Sequence, residues 1–149
     1  MPIKRLTTKP PNSLGAETLL KRLRRQGALA SVRLALENAE ALATAAEISR
    51  RLSIPASTVR KWMASARAIA FRPPGGRRDL FPIAQFSNRA VAPWARSIIE
   101  TLGNGAPAFH FLMVPRQSLA GASYSQGLLQ GDRSIPVRIE ASLRRIEIE

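Results

Sequence analysis

The stretch Ala43–Trp62, ATAAEISRRLSIPASTVRKW, admits few folds. Thr44 followed three residues later by Glu47 has the form of a capping box. The hydroxyl accepts from the amide of Glu47, and the carboxylate reaches back to the amide of Thr44. A helix is therefore expected from Ala45 to Leu52, with Ala46, Ile48 and Leu52 inward. Ser53-Ile54-Pro55 breaks it. A second helix is expected from Ala56 to about Ala66, with Ser57 and Thr58 in its first turn and Val59, Trp62 and Met63 as its buried face. Ile54 plugs the angle between the two. Two short helices on a tight turn that carries an apolar residue form a helix-turn-helix. Ser57, Arg60, Lys61 and Ala64 are left pointing outward, on the face that enters a major groove. The plain alternative is a helical hairpin with a solvated basic face. A fixed apolar frame beneath outward Ser, Arg and Lys favours DNA.

Behind this pair comes Ile69-Ala70-Phe71-Arg72, then Pro73-Pro74-Gly75-Gly76, then Arg77-Arg78-Asp79-Leu80-Phe81. The glycine pair supplies the positive backbone angles of a reversal. The expectation is a β-hairpin wing, packed by Phe71, Leu80 and Phe81 and tipped by arginines that reach phosphate or the minor groove. The candidate DNA contacts are Ser57, Thr58, Arg60, Lys61, Arg67, Arg72, Arg77 and Arg78.

Charge points the same way. The net charge is +13, with 23 Lys and Arg against 10 acids, and 19 of the 23 are Arg. The flat, forked guanidinium suits phosphates and guanine edges better than an ammonium. The excess is uneven. Residues 1–36 carry eight basic side chains against one acid, and residues 87–149 carry seven against five. The partner this implies is double-stranded DNA, and a non-specific basic nucleic-acid-binding structural protein is the rival from another class. Cysteine is absent and His110 is the sole histidine. Thiol chemistry, Cys-based zinc sites and any histidine cluster are thereby removed. No phosphate-loop or dinucleotide motif occurs. The expectation is no catalytic residue, no metal and no cofactor. No apolar run is long enough to span a membrane and no signal peptide is evident, which places the chain in the cytoplasm.

Four segments result. Residues 1–15, with Pro2, Pro10 and Pro11, read as a disordered basic arm. Residues 16–42 read as a helical segment, a surface helix or a dimerisation helix, in which Leu29, Val32 and Leu36 recur at roughly helical spacing. Residues 43–86 read as the DNA-binding head with its wing. Residues 87–149 read as a small helical interaction domain. There a helix is expected from Pro93 to Leu102, and the aromatics Phe109 and Phe111 read as core. The fold class is mainly α with one small β-hairpin.

The head resembles the MerR/BldC-like class of small helix-turn-helix domains, whose run "EIARRLGVSxSTVRRW…GGRRxFP" is matched here by EISRRLSIPASTVRKW and GGRRDLFP. Ser53 stands where such turns often carry Gly. Further on, LFPIAQF (residues 80–86) is similar to the phrase LFPAWQF of the antitoxin Xre/MbcA/ParS-like family. Phe111-Leu112, Pro115, Leu119, Gly121, Leu128-Leu129 and Gly131 fall in register with that family's "FLxxPxxxLGGxxPxxLLxxG" run. Ala84, Ala120 and Tyr124 stand where the family has Trp, Gly and Pro. The resemblance implies an antitoxin that represses its own promoter as a homodimer and docks a RES-type toxin through Phe111, Leu112, Leu119, Tyr124, Leu128 and Leu129. A stand-alone plasmid or prophage regulator without a toxin is the alternative.

Overall fold

A computed structural model describes residues 29–148 of the chain. The arm expected over 1–15 and residues 16–28 of the helical segment expected over 16–42 lie outside the described residues. The order is α1 (29–37), β1 (Leu42–Ala43), α2 (Ala45–Leu52), α3 (Ala56–Ala64), β2 (Phe81–Pro82), β3 (Phe86–Ser87), β4 (Ala90–Val91), α4 (Pro93–Leu102), α5 (Ala106–Met113), α6 (Tyr124–Leu129) and α7 (Ile135–Ile148). The protein is mainly helical with two small antiparallel sheets. No described helix is long and apolar enough to cross a membrane.

Local chemistry sets the helix ends. The Thr44–Glu47 capping box is present: the Thr44 amide donates to Glu47 Oε1 at 2.8 Å, and the Glu47 amide to Thr44 Oγ1 at 3.3 Å. Ser123 and Gln126 make a second box at the start of α6. Pro93 opens α4, where its missing N–H costs nothing. Gly103 ends α4 with φ +90°, a conformation in which a Cβ is strained.

Two apolar cores form. The smaller holds Ala43, Ile48, Val59, Ala68, Ala70 and Phe81, with Leu52, Ile54, Trp62, Met63 and Phe86 half-buried around it. Ala46 is exposed and Ala45 takes the inward place expected of it, because Ala45, Ile48 and Leu52 share one helical face. The larger core joins α4, α5, α6 and α7 through Ile98, Phe109, Leu112, Tyr124, Ile135 and Ile139, and it includes Leu34 and Ala35 of α1. On α1 the inward stripe is Ser31, Leu34 and Ala35, while Leu29 and Leu36 are exposed.

The segment Ala68–Phe71 runs between these cores. Its side chains alternate in allegiance: Ala68 and Ala70 belong to the smaller core, Ile69 and Phe71 to the larger. Phe71 stacks on Phe109 at 4.9 Å between centroids. The Ala68 amide donates to the Trp62 carbonyl at 3.0 Å, but the segment has no strand neighbour until Phe71, so two side-chain amides supply the hydrogen bonds in between. Gln85, fully buried, accepts from the Ile69 amide at 2.7 Å and donates to the Ile69 carbonyl at 2.8 Å. Asn104 accepts from the Ala70 amide at 3.2 Å and donates to the Ala68 carbonyl at 3.1 Å. Buried backbone groups require such partners.

The wing is a reversal held by a single residue pair. Phe71 and Leu80 exchange both backbone hydrogen bonds, at 2.9 and 2.8 Å. The strand that follows, β2, leaves the wing and pairs with β1, in register Leu42↔Pro82 and Ala43↔Phe81. That pairing ties the wing's exit to the entrance of α2.

Candidate nucleic-acid interface

The turn between α2 and α3 is built on Ser53, which adopts the left-handed conformation at φ 56°, ψ 48°. The Ile54 amide then donates to the Ser49 carbonyl at 3.2 Å, and the Ser49 hydroxyl donates to the Ile54 carbonyl. Arg89 reinforces this turn by donating to the Ser53 carbonyl at 3.1 Å. It does so from the β3–β4 turn, where Asn88 and Arg89 both have positive φ, 49° and 63°. Val59 is fully buried and locks α3 against Ile48. Trp62 stacks on Phe86. With that face fixed, Ser57, Arg60, Lys61 and Ala64 are exposed, as the periodicity requires, and Thr58 is half-buried.

Arg60 does not stand alone. Together with Arg72, Arg77 and Arg78 of the wing it lines a cleft of about 340 Å³, whose other walls are Thr44, Ala45, Ala46, Asp79 and Phe81. The first turn of α2 opens onto this cleft. Its capping box satisfies the Thr44 and Glu47 amides and holds the Glu47 carboxyl below its ordinary range, first through the Thr44 backbone and then its hydroxyl. The amides of Ala45 and Ala46, which no intrahelical carbonyl can reach, add the positive end of the helix dipole to the arginines.

Asp79 is the one acid in the cleft, and the sequence reading passed over it. It pairs with Arg72 through two contacts, Nε–Oδ1 at 3.3 Å and Nη2–Oδ2 at 3.1 Å. A two-pronged pair fixes the planar guanidinium in orientation as well as place. Arg72 thus braces the wing next to the Phe71–Leu80 pair. Arg60, Arg77 and Arg78 make no ion pair among the described residues.

Arg67 lies elsewhere. It lines a second groove with Trp62, Ala90, Val91, Ala92, Pro93 and Arg96, because the chain has left α3 and reversed direction through Ala66, at φ 62°. Arg89 was also missed, since nothing in its sequence neighbourhood signals a reach back to residue 53.

The residues expected to dock a partner are mostly interior. Leu112 is fully buried, Phe111 and Tyr124 are buried, Leu119 and Leu128 are half-buried, and only Leu129 is exposed. An alternating apolar run marks the core of a small helical unit as readily as it marks its surface. Arg116 sits within this run. Its guanidinium lies 4.0 Å from the Tyr124 ring centroid and 4.7 Å from that of Phe111, and it donates to the Phe111 carbonyl at 2.6 Å. Burial pushes its pKa below the usual arginine value. Among the described residues no group of His, Cys, Asp and Glu could hold a metal ion.

The segment from β1 to the turn after β3 has a counterpart among known families. Residues 42–88 match the family described as "Antitoxin Xre/MbcA/ParS-like, middle domain". No curated protein and no solved structure gives a significant match. The matched span contains the capping box, helices α2 and α3, the wing and the Gln85 anchor. About a third of the chain, residues 42–88, is thus similar to the middle domain of antitoxins of the Xre/MbcA/ParS-like kind.

Proposed function

We propose that the protein is the antitoxin and autorepressor of a type II toxin–antitoxin pair. As a homodimer it binds double-stranded DNA sequence-specifically, with α3 in the major groove and the wing on the backbone. Through residues 87–149 it blocks a RES-type toxin without catalysing a reaction itself. The observation that carries the DNA reading is the convergence of Arg60, Arg72, Arg77 and Arg78 on one cleft beside the outward face of α3. Side chains on α3 read base edges, and the wing arginines and the α2 N-terminus meet phosphates, which position but do not specify.

The test is a titration of duplex from upstream of the protein's own gene, against a scrambled duplex, at two salt concentrations. With about six phosphate contacts, affinity falls roughly a thousandfold between ~50 and ~200 mM salt. Equal affinity for both duplexes would favour the non-specific nucleic-acid binder instead. Co-expression with the product of the adjacent gene tests the toxin half. A stable complex supports it, and a chain that purifies alone points to a stand-alone regulator.

A further inference from the structure

The groove lined by Arg67 lies apart from the arginine cleft. We infer that it receives an extended, acidic segment of a protein partner, laid as a third strand along β4.

Three features of the groove, which holds about 320 Å³, support this occupant. Its floor is apolar, formed by half-buried Trp62 and Val91 with Pro93 beside them. Two arginines line the groove beside that floor. Arg67 is exposed and makes no ion pair among the described residues, and Arg96 is held only by an exposed pair with Glu100 at 3.2 Å. Such a solvent-exposed pair contributes little and can be shared with an incoming carboxylate.

The third feature is the backbone. In the β3–β4 hairpin, Ser87 and Ala90 close the two-residue turn, and the next pair is Phe86↔Val91. The Ala92 amide donates to the Gln85 carbonyl at 2.8 Å, which fixes the alternation. Phe86↔Val91 is therefore the pair that exchanges no hydrogen bonds, so the Val91 N–H and C=O point away from β3. Neither has a backbone partner among the described residues. An added strand pairs with such a free edge, its alternate side chains entering the groove. In a segment that alternates apolar with acidic residues, the apolar set enters the groove and meets its floor, and the carboxylates on the opposite face are met by the long, exposed side chains of Arg67 and Arg96 folding over the strand. Basic or purely apolar segments would leave the arginines unanswered.

This site does not depend on the DNA reading, because none of its residues lines the arginine cleft. It also gives a partner an accessible surface that Phe111, Leu112 and Tyr124, being buried, do not.

The experiment titrates the full-length protein into two fluorescein-labelled ten-residue peptides and follows anisotropy. In one, Glu alternates with Val; in the other, Glu alternates with Ser, so the charge is equal. Two double variants of equal charge change are compared: Arg67→Ala with Arg96→Ala, and Arg77→Ala with Arg78→Ala. The Glu/Val peptide should bind about tenfold or more tighter than the Glu/Ser peptide. The first double variant should weaken it by about tenfold, and the second by less than about threefold. In an amide-exchange experiment the Val91 N–H should become protected when the Glu/Val peptide binds. Equal binding of the two peptides, no binding of either, a larger loss from the wing variant, or an unprotected Val91 amide each overturns the proposal. Circular dichroism confirms that both variants are folded before the comparison is made.

Discussion

Replacing Gln85 with Met keeps nearly the volume of the side chain but removes both hydrogen bonds to Ile69. The Ile69 amide and carbonyl, now paired at 2.7 and 2.8 Å, are left in a site from which water is excluded. Each orphaned buried group costs about 1–3 kcal/mol, so the pair costs about 2–6 kcal/mol. A domain of this size is stabilised by only about 5–15 kcal/mol in total, so the loss is large enough to measure easily. Urea unfolding followed by circular dichroism is the assay, and the midpoint should fall while the slope stays the same. A loss below about 1 kcal/mol would mean that Ile69 finds other partners and that the amide clamp is incidental. Gln85→Glu sharpens the test. The ionised carboxylate still accepts from the Ile69 amide but opposes the Ile69 carbonyl, and burial disfavours its charge. Its folded pKa is therefore raised above the ordinary carboxyl value of about 4.3. The folded state then holds the proton more tightly than the unfolded chain, so the variant is most stable below that ordinary value. It loses stability as the pH rises from there through the raised folded value. Wild-type protein should lack that component.

Ser53→Gly and Ala120→Gly should each raise stability by a few tenths to about 1 kcal/mol, since both residues are left-handed at φ 56°, and a Cβ there costs about 1–2 kcal/mol against glycine's greater chain entropy. The two gains should add in thermal or urea unfolding; a loss at either site would show that the side chain contributes more than its backbone strain costs. Arg60→Ala should cost roughly 1–3 kcal/mol at the cognate duplex and relax base preference, whereas Arg77→Ala should weaken cognate and scrambled duplexes alike. If Arg60→Ala lowers both affinities equally, α3 is not the reading helix. Asp79→Asn releases Arg72 and adds a net positive charge to the cleft, so binding to scrambled duplex should tighten; unchanged non-specific affinity would show that Asp79 does not restrain the cleft.

The helix pair α2–α3 was readable because its signals are local. A cap at Thr44, a break at Ser53-Ile54-Pro55 and an apolar face at Val59 and Trp62 act over a few residues each, and α2 begins and ends where they place it. Pro93 and Gly103 bound α4 in the same way. Two departures from glycine were visible in the sequence, Ser53 from the usual turn of a helix pair and Ala120 from the antitoxin pattern, and both mark left-handed positions. What could not be read depends on distance along the chain. The pairing of β1 with β2, the reach of Arg89 to Ser53 and the grip of Gln85 on Ile69 join residues with no periodic relation. The arginine cluster was half legible. The residue types were evident, but Arg67 leaves the group only because Ala66 turns the chain. Burial misled the partner residues, since a spaced apolar run does not say which of its sides meets solvent.

The clamped segment Ala68–Phe71 decides how the two halves can communicate. Hinges need a stretch of chain whose torsions turn freely. Here every turn of the backbone would break a bond to Gln85 or Asn104, or pull Phe71 from Phe109. A partner bound to the helices of the larger core therefore cannot swing the wing by small degrees. It can leave the wing where it is, or melt the joint. Any effect of a partner on DNA affinity should accordingly arrive as a loss of structure, seen as new amide exchange at Ile69 and Ala70, and not as a graded rotation of one rigid half on the other.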